Sequence, residues 1–204
     1  MDTRRTGLLQ GWTLTLLLAL GVAAMALGMV AWSHFTVEGV RMAIRATART
    51  SLIFFSLAIA SAGLARLWPN AATAWLRRNR RYLGVSFAAS HAVHAVAIAA
   101  FGLMDREALM RETMAANFVV GVIAYVFILA MAATSFDRTA AWIGPRAWGL
   151  LHTTGVYYIW LVFLVSGGKR AVMNPTYWLY VVALLAVMGL RHAARLRRSA
   201  PALR

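Results

Sequence analysis

Two histidines three residues apart, His91 and His94, lie inside an apolar run that follows the arginine pair Arg80-Arg81, in the stretch RRYLGVSFAASHAVHA. That spacing puts both imidazoles on one face of a helix. At ~1.5 Å per residue they sit roughly 15 and 20 Å beyond Arg81, well inside the hydrocarbon of a bilayer. Ionisable side chains at that depth are expensive and point to function by default. A third histidine, His152, follows Trp148-Gly149-Leu150-Leu151 and lies roughly 9 Å beyond Arg146 on the same rise. One intramembrane histidine is equally well explained by an interhelical hydrogen bond. Three at overlapping depth on two spans point to a cofactor site. Neutral imidazole suits haem iron, zinc or copper. No carboxylate falls in the apolar core, which weakens the case for a proton relay, a hard-cation transporter or a zinc hydrolase.

The other candidates are weaker. His34 beside Trp32 and His192 in a basic tail read as interfacial residues. The ten methionines, Met25, Met29, Met104 and Met131 among them, read as apolar filling. Gly84 and Gly155 would admit a flat macrocycle or a closely packed helix equally well. Tyr157, Tyr158 and Trp160 line a pocket or face lipid, and both remain open.

The elements that must hold these residues are apolar runs. The chain has 204 residues, 61% of them hydrophobic, and a mean hydropathy of +0.67. Six nearly charge-free runs, at about 12–32, 51–68, 82–104, 117–136, 146–166 and 176–190, predict an all-α integral membrane protein. The expected architecture is a six-transmembrane-helix antiparallel bundle forming a single membrane domain over residues 1–204. The first run is long for a signal peptide and reads as a retained anchor. Between the runs are an interfacial linker (33–50), a basic loop (68–81), a mixed-charge loop (105–112), a short connection (137–145) and a Gly-Gly-Lys-Arg turn (167–170).

The formal charge of +15 would suggest nucleic acid in a soluble protein. Here the arginines flank the runs and read instead as topology determinants in a membrane of anionic lipids, with no nucleic-acid partner. With the N-terminus inside, the inner segments carry twice the Lys and Arg of the outer ones, which places both termini in the cytoplasm of a multi-pass cell-membrane protein. Trp12, Trp32, Trp68, Trp148 and Trp178 fall at the ends of runs, as an aromatic belt requires. There is no cysteine, which excludes disulfides, cysteine-ligated clusters and thioether-attached haem. No glycine-rich dinucleotide fingerprint is present.

Taken together, these motifs resemble the ferric-reductase-like transmembrane domain family. RRYLGVSFAASHAVHA is similar to its third span, where an arginine pair and a Leu-Gly precede a histidine. VGVIAYVFILAMAATSF resembles its fourth span, and GPRAWGLLHTTGVYYIW its fifth. The resemblance covers about residues 47–190 and is strongest toward short haem b membrane subunits, such as that of the periplasmic methionine sulfoxide reductase system, which lack a fused flavin domain. It implies haem b held between the third and fifth spans and electron transfer across the membrane. The donor would be a cytoplasmic flavin reductase or quinol, and the acceptor a periplasmic protein. It assigns the ligand roles to His94, ten residues after Gly84, and to His152. Two departures stand out: the family's second fifth-span histidine is Val165 here, and His91 is additional. One haem is therefore expected in preference to two, and no covalently bound flavin. Depth arithmetic separates His94 from His152 by roughly 10 Å and His91 from His152 by roughly 6 Å, so His91, His94 and His152 all stay candidates.

The leading reading is a haem b electron-transfer subunit of an oxidoreductase, unable to oxidise NAD(P)H by itself. Two others compete: a non-redox small transporter or metal-binding membrane protein using the same histidines, and a structural or assembly subunit.

Overall fold

The computed structural model describes residues 9–113 and 115–199. Arg4 and Arg5 of the basic lead, and the end of the tail from 200 to 204, lie outside them. The helices are α1 (Gly11–Trp32), α2 (Val37–Leu67), α3 (Ala71–Met104), α4 (Arg106–Glu112), α5 (Ala115–Ala133), α6 (Asp137–Met173) and, after a 3₁₀ turn at Pro175–Tyr177, α7 (Trp178–Ser199). Among the described residues there is no strand. The chain is a multi-pass membrane protein. Five helices are long and apolar enough to cross a bilayer, and the bent pair α4–α5 supplies a sixth when taken as one broken span. Large apolar side chains such as Leu16, Leu20, Leu27 and Val126 point outward, as expected where the surrounding solvent is lipid.

The helices overrun the apolar runs. The linker 33–50 is helical from Val37, so Arg41, Arg45 and Arg49 belong to α2. The basic loop is helical from Ala71, started by a capping box in which the Asn70 side chain accepts from the Thr73 N–H and the Thr73 hydroxyl accepts from the Asn70 N–H. The 167–170 turn continues α6 to Met173. α6 is two pieces: Gly144 has φ +77°, a region glycine enters freely, and Pro145 opens the second piece, where its missing N–H costs nothing.

Facing residues give the directions. Along α2 and α3 the contacts pair Val40 with Phe101, Thr47 with His94, Ser51 with Ser90 and Phe55 with Phe87. The two helices are therefore antiparallel and in register over most of their length. Small side chains make this possible: Thr47, Ser51, Ser86 and Ser90 are all fully buried, and small residues let backbones approach in a membrane. α1 runs alongside α3, with the Gly11 N–H donating to Asn79 Oδ1 (3.1 Å) and the Thr15 hydroxyl donating to the Tyr82 carbonyl (3.2 Å). Gly39 is required at the α1–α2 turn, since a Cβ there would fall 1.6 Å from Ser33 Oγ. α5 and α6 form a second antiparallel pair through Thr134–His152 and Phe127–Tyr158. α7 closes on α6, where the Trp160 indole N–H donates to the Leu184 carbonyl (3.0 Å), and on α2 at Gly63–Leu190. By contrast α3 and α6 hardly meet along their backbones.

Candidate functional site

The gap between α3 and α6 is a cavity of about 790 Å³, within the range of small-molecule and cofactor sites. It lies at the arginine-rich end of the bundle. Gly84 contributes to the α3 wall, and a Cβ added there would meet nothing within 4 Å. Phe87 and Ala88 continue that wall one turn deeper.

His152 is the histidine on the opposite wall. Its ring stacks on Trp148, with centroids 4.1 Å apart and planes 23° apart. Its Nε2 lies 3.2 Å from Thr134 Oγ1. The Trp148 indole N–H in turn donates to the Thr134 carbonyl (3.0 Å). The Thr134 hydroxyl donates to the Ala130 carbonyl at 2.7 Å and also lies 3.3 Å from the Met131 carbonyl oxygen. Trp148, expected in the aromatic belt, instead positions this histidine.

His91 and His94 lie deeper, with ring centroids 5.1 Å apart. His91 continues the cavity-wall stripe of Gly84, Phe87 and Ala88 by one further turn. Its ring packs among Phe87, Tyr125 and Phe163 at centroid distances of 5.3, 5.1 and 5.9 Å. Its Nδ1 is buried with no hydrogen-bond partner. His94 turns toward α2: its Nδ1 lies 3.0 Å from Thr47 Oγ1 and 3.1 Å from the Ile44 carbonyl oxygen. Among the described residues no hydrogen bond or ring contact joins His152 to either of them, and no three His, Cys, Asp or Glu side chains converge as a metal site. The structure thus groups His91 with His94 and sets His152 by itself on the cavity wall.

The mouth is strongly basic. Arg66, Arg77, Arg78, Arg80, Arg81 and Arg191 border the cavity against one carboxylate, Asp137. Asp137 pairs with Arg81 at 2.7 Å but is almost wholly exposed, so the pair is strongly screened. The Nε atoms of Arg81 and Arg191 are buried and lack partners. A buried donor without an acceptor is costly, and six arginines bordering one space against a single exposed carboxylate suit an anionic group. The run of arginines at 77–81 was visible in the sequence. Arg66 and Arg191 were not, because nothing in their spacing says that α2 and α7 end beside α3.

The remaining candidates separate cleanly. A Cβ on Gly155 would meet Met131 Sδ at 2.4 Å, so Gly155 serves helix packing while Gly84 fronts the cavity. The Tyr157 hydroxyl lies 3.2 Å from His192 Nε2, and the Tyr158 hydroxyl donates to the Val120 carbonyl (3.1 Å). Both are staples between helices, as is Trp160. Val165 faces outward, 47% exposed. His34 sits in the α1–α2 turn with φ +53°.

No family model matches the chain, and no solved structure matches it. Among curated proteins it is similar to the protein-methionine-sulfoxide reductase heme-binding subunit MsrQ of Azospira oryzae. The two are 29% identical over 137 residues, which cover 62% of this chain and 56% of the relative. The chain thus spans little more than half the length of the curated relative it matches. The resemblance to short haem-binding membrane subunits is borne out by this relative.

Proposed function

We propose that the chain is a haem b membrane subunit that passes electrons across the membrane within a reductase system. The observation that carries this reading is the cavity between α3 and α6, with an imidazole on its wall and arginines at its mouth. The residues fit the group. About 790 Å³ is ample for a macrocycle, Gly84 leaves the α3 wall flat, and the arginines bordering the mouth suit carboxylates. The name of the similar relative, a heme-binding subunit, agrees with it.

In this reading His152 would hold the iron from α6, and His94 or His91 would hold it from α3. One haem is held, and it supplies one-electron chemistry when bound. The chain does the rest. Trp148 orients the His152 ring by stacking on it, and Thr134 Oγ1, whose proton goes to the Ala130 carbonyl, faces Nε2 as an acceptor. The arginines offset the charge of the carboxylates. Aromatic side chains of Phe55, Phe87 and Phe163, in mutual contact at 5.2 to 6.2 Å, exclude water from the inner end. Six spans, with α4–α5 as one, form a single membrane domain with both termini cytoplasmic. This turns the arginine mouth toward a cytoplasmic flavoprotein or quinol donor and the opposite end toward a periplasmic acceptor.

A spectrum tests the reading. Protein purified in mild detergent from haem-replete cells and reduced with dithionite is expected to show a sharp Soret and α-band. His152→Ala is expected to lose most of that absorbance while remaining monodisperse. A colourless wild-type preparation would sink the haem reading.

A further inference from the structure

The α2–α3 seam contains a buried polar chain that the cavity does not use. Ser51 Oγ and Thr50 Oγ1 lie 2.9 and 3.0 Å from Ser90 Oγ, and the Ser90 hydroxyl donates to the Thr47 carbonyl (3.4 Å). The chain ends at His94, whose Nδ1 faces both Thr47 Oγ1 and the Ile44 carbonyl. Thr47 is fully buried, so water cannot replace any of these partners.

The donors and acceptors decide where the His94 proton sits. A carbonyl oxygen only accepts, so a bare Nδ1 lone pair 3.1 Å from the Ile44 oxygen would be repelled. The Thr47 hydroxyl has one proton, and its shortest contact is to the Ala43 carbonyl at 2.7 Å. With that proton committed, Thr47 Oγ1 faces His94 as an acceptor. Both neighbours of Nδ1 therefore demand an N–H there, and the neutral ring must carry its lone pair on Nε2. His91 has no such partner at Nδ1, so nothing selects its tautomer.

We infer that Thr47, together with the Ile44 carbonyl, is a positioning residue that fixes His94 as the Nδ1–H tautomer and leaves Nε2 as the atom through which His94, in preference to His91, would ligate from α3. The inference rests on the haem reading above. A hydrogen bond from the far nitrogen of a ligating imidazole fixes the ring and makes it a stronger electron donor. Thr47 therefore acts on the haem potential without touching the haem.

The test uses the full chain with haem bound. Thr47→Val keeps the shape and removes the acceptor, and Thr47→Ser keeps the acceptor. Thr47→Val is expected to raise the haem midpoint potential and to weaken haem retention by about tenfold or more, with Thr47→Ser close to wild type in both. Should Thr47→Val fail to accumulate, Thr47→Ala reads the same loss of the hydroxyl. His94→Ala is expected to lose the wild-type low-spin spectrum, and His91→Ala to keep it. Equal potentials in wild type, Thr47→Val, Thr47→Ala and Thr47→Ser would overturn the role of Thr47. So would a Thr47→Ser potential as high as that of Thr47→Val. An unchanged spectrum in His94→Ala would overturn the choice of His94. A colourless wild type would remove the haem reading itself, and this inference with it.

Discussion

The α2–α3 seam and the α3–α6 gap share one helix and differ in almost everything else. In the seam, serine, threonine and alanine bring two backbones together, and fully buried hydroxyls satisfy one another. In the gap, phenylalanines and arginines hold two helices apart around about 790 Å³. Each side keeps a histidine, but by different means. His94 is fixed by hydrogen bonds to a neighbouring helix. His152 is fixed by a stacked indole on its own helix and by a hydroxyl across from it. One amphipathic surface of α3 builds the rigid side of the molecule and the other leaves room for a ligand. The cost of a mutation should therefore depend on which side of α3 it falls.

The largest effect should come from filling the seam. Ser90→Leu puts a branched side chain where Thr50, Ser51 and Thr47 now converge. Overpacking plus orphaned hydroxyls should cost about 3 kcal/mol or more, read as a lowered aggregation temperature in detergent and poor accumulation in membranes. Comparable stability in Ser90→Leu and wild type would erase the contrast between the two sides. Filling the gap should act differently. Gly84→Leu projects into open space, so the protein should stay folded while haem binding weakens by about tenfold, near 1.4 kcal/mol. Titrating haem into the variant checks this, and a drop in thermal stability with haem binding intact would contradict it. The smallest effect belongs to neither region. Arg41 pairs with Glu112 at the far end of the bundle, where both side chains are substantially exposed. Arg41→Gln should change stability by about 0–1 kcal/mol and leave the haem spectrum unaltered.

Hydropathy made the membrane-spanning character legible, because apolar runs of span length carry it directly. It did not show how far the helices extend. Val37–Thr50 is charged on one side, and a sliding average cannot tell an amphipathic turn of helix from an interfacial linker. The Asn70–Thr73 capping box is written in the sequence, but the arginines of that segment mask it. The three intramembrane histidines stood out by depth alone. Their grouping did not: whether His94 meets α2 or α6 depends on the rotation of α3, which no spacing reveals. Thr47 was invisible for the same reason, and Thr134 was legible only as the end of the fourth-span motif, since a threonine in an apolar helix gives no sign of what it faces. Gly84 and Gly155 looked alike in sequence, and only their neighbours distinguish a cavity wall from a packing contact.

The cavity wall draws on residues from Phe55 to Arg191, in five helices that emerge from the ribosome at widely separated times. The α2–α3 hairpin can be complete and inserted while the second half of the chain is still being made. The binding space exists only after α7 has packed onto α2 and α6. On the proposed reading, cofactor loading would therefore be a late event in biogenesis, and a nascent chain stalled before Trp148 would present His94 without a chamber beside it.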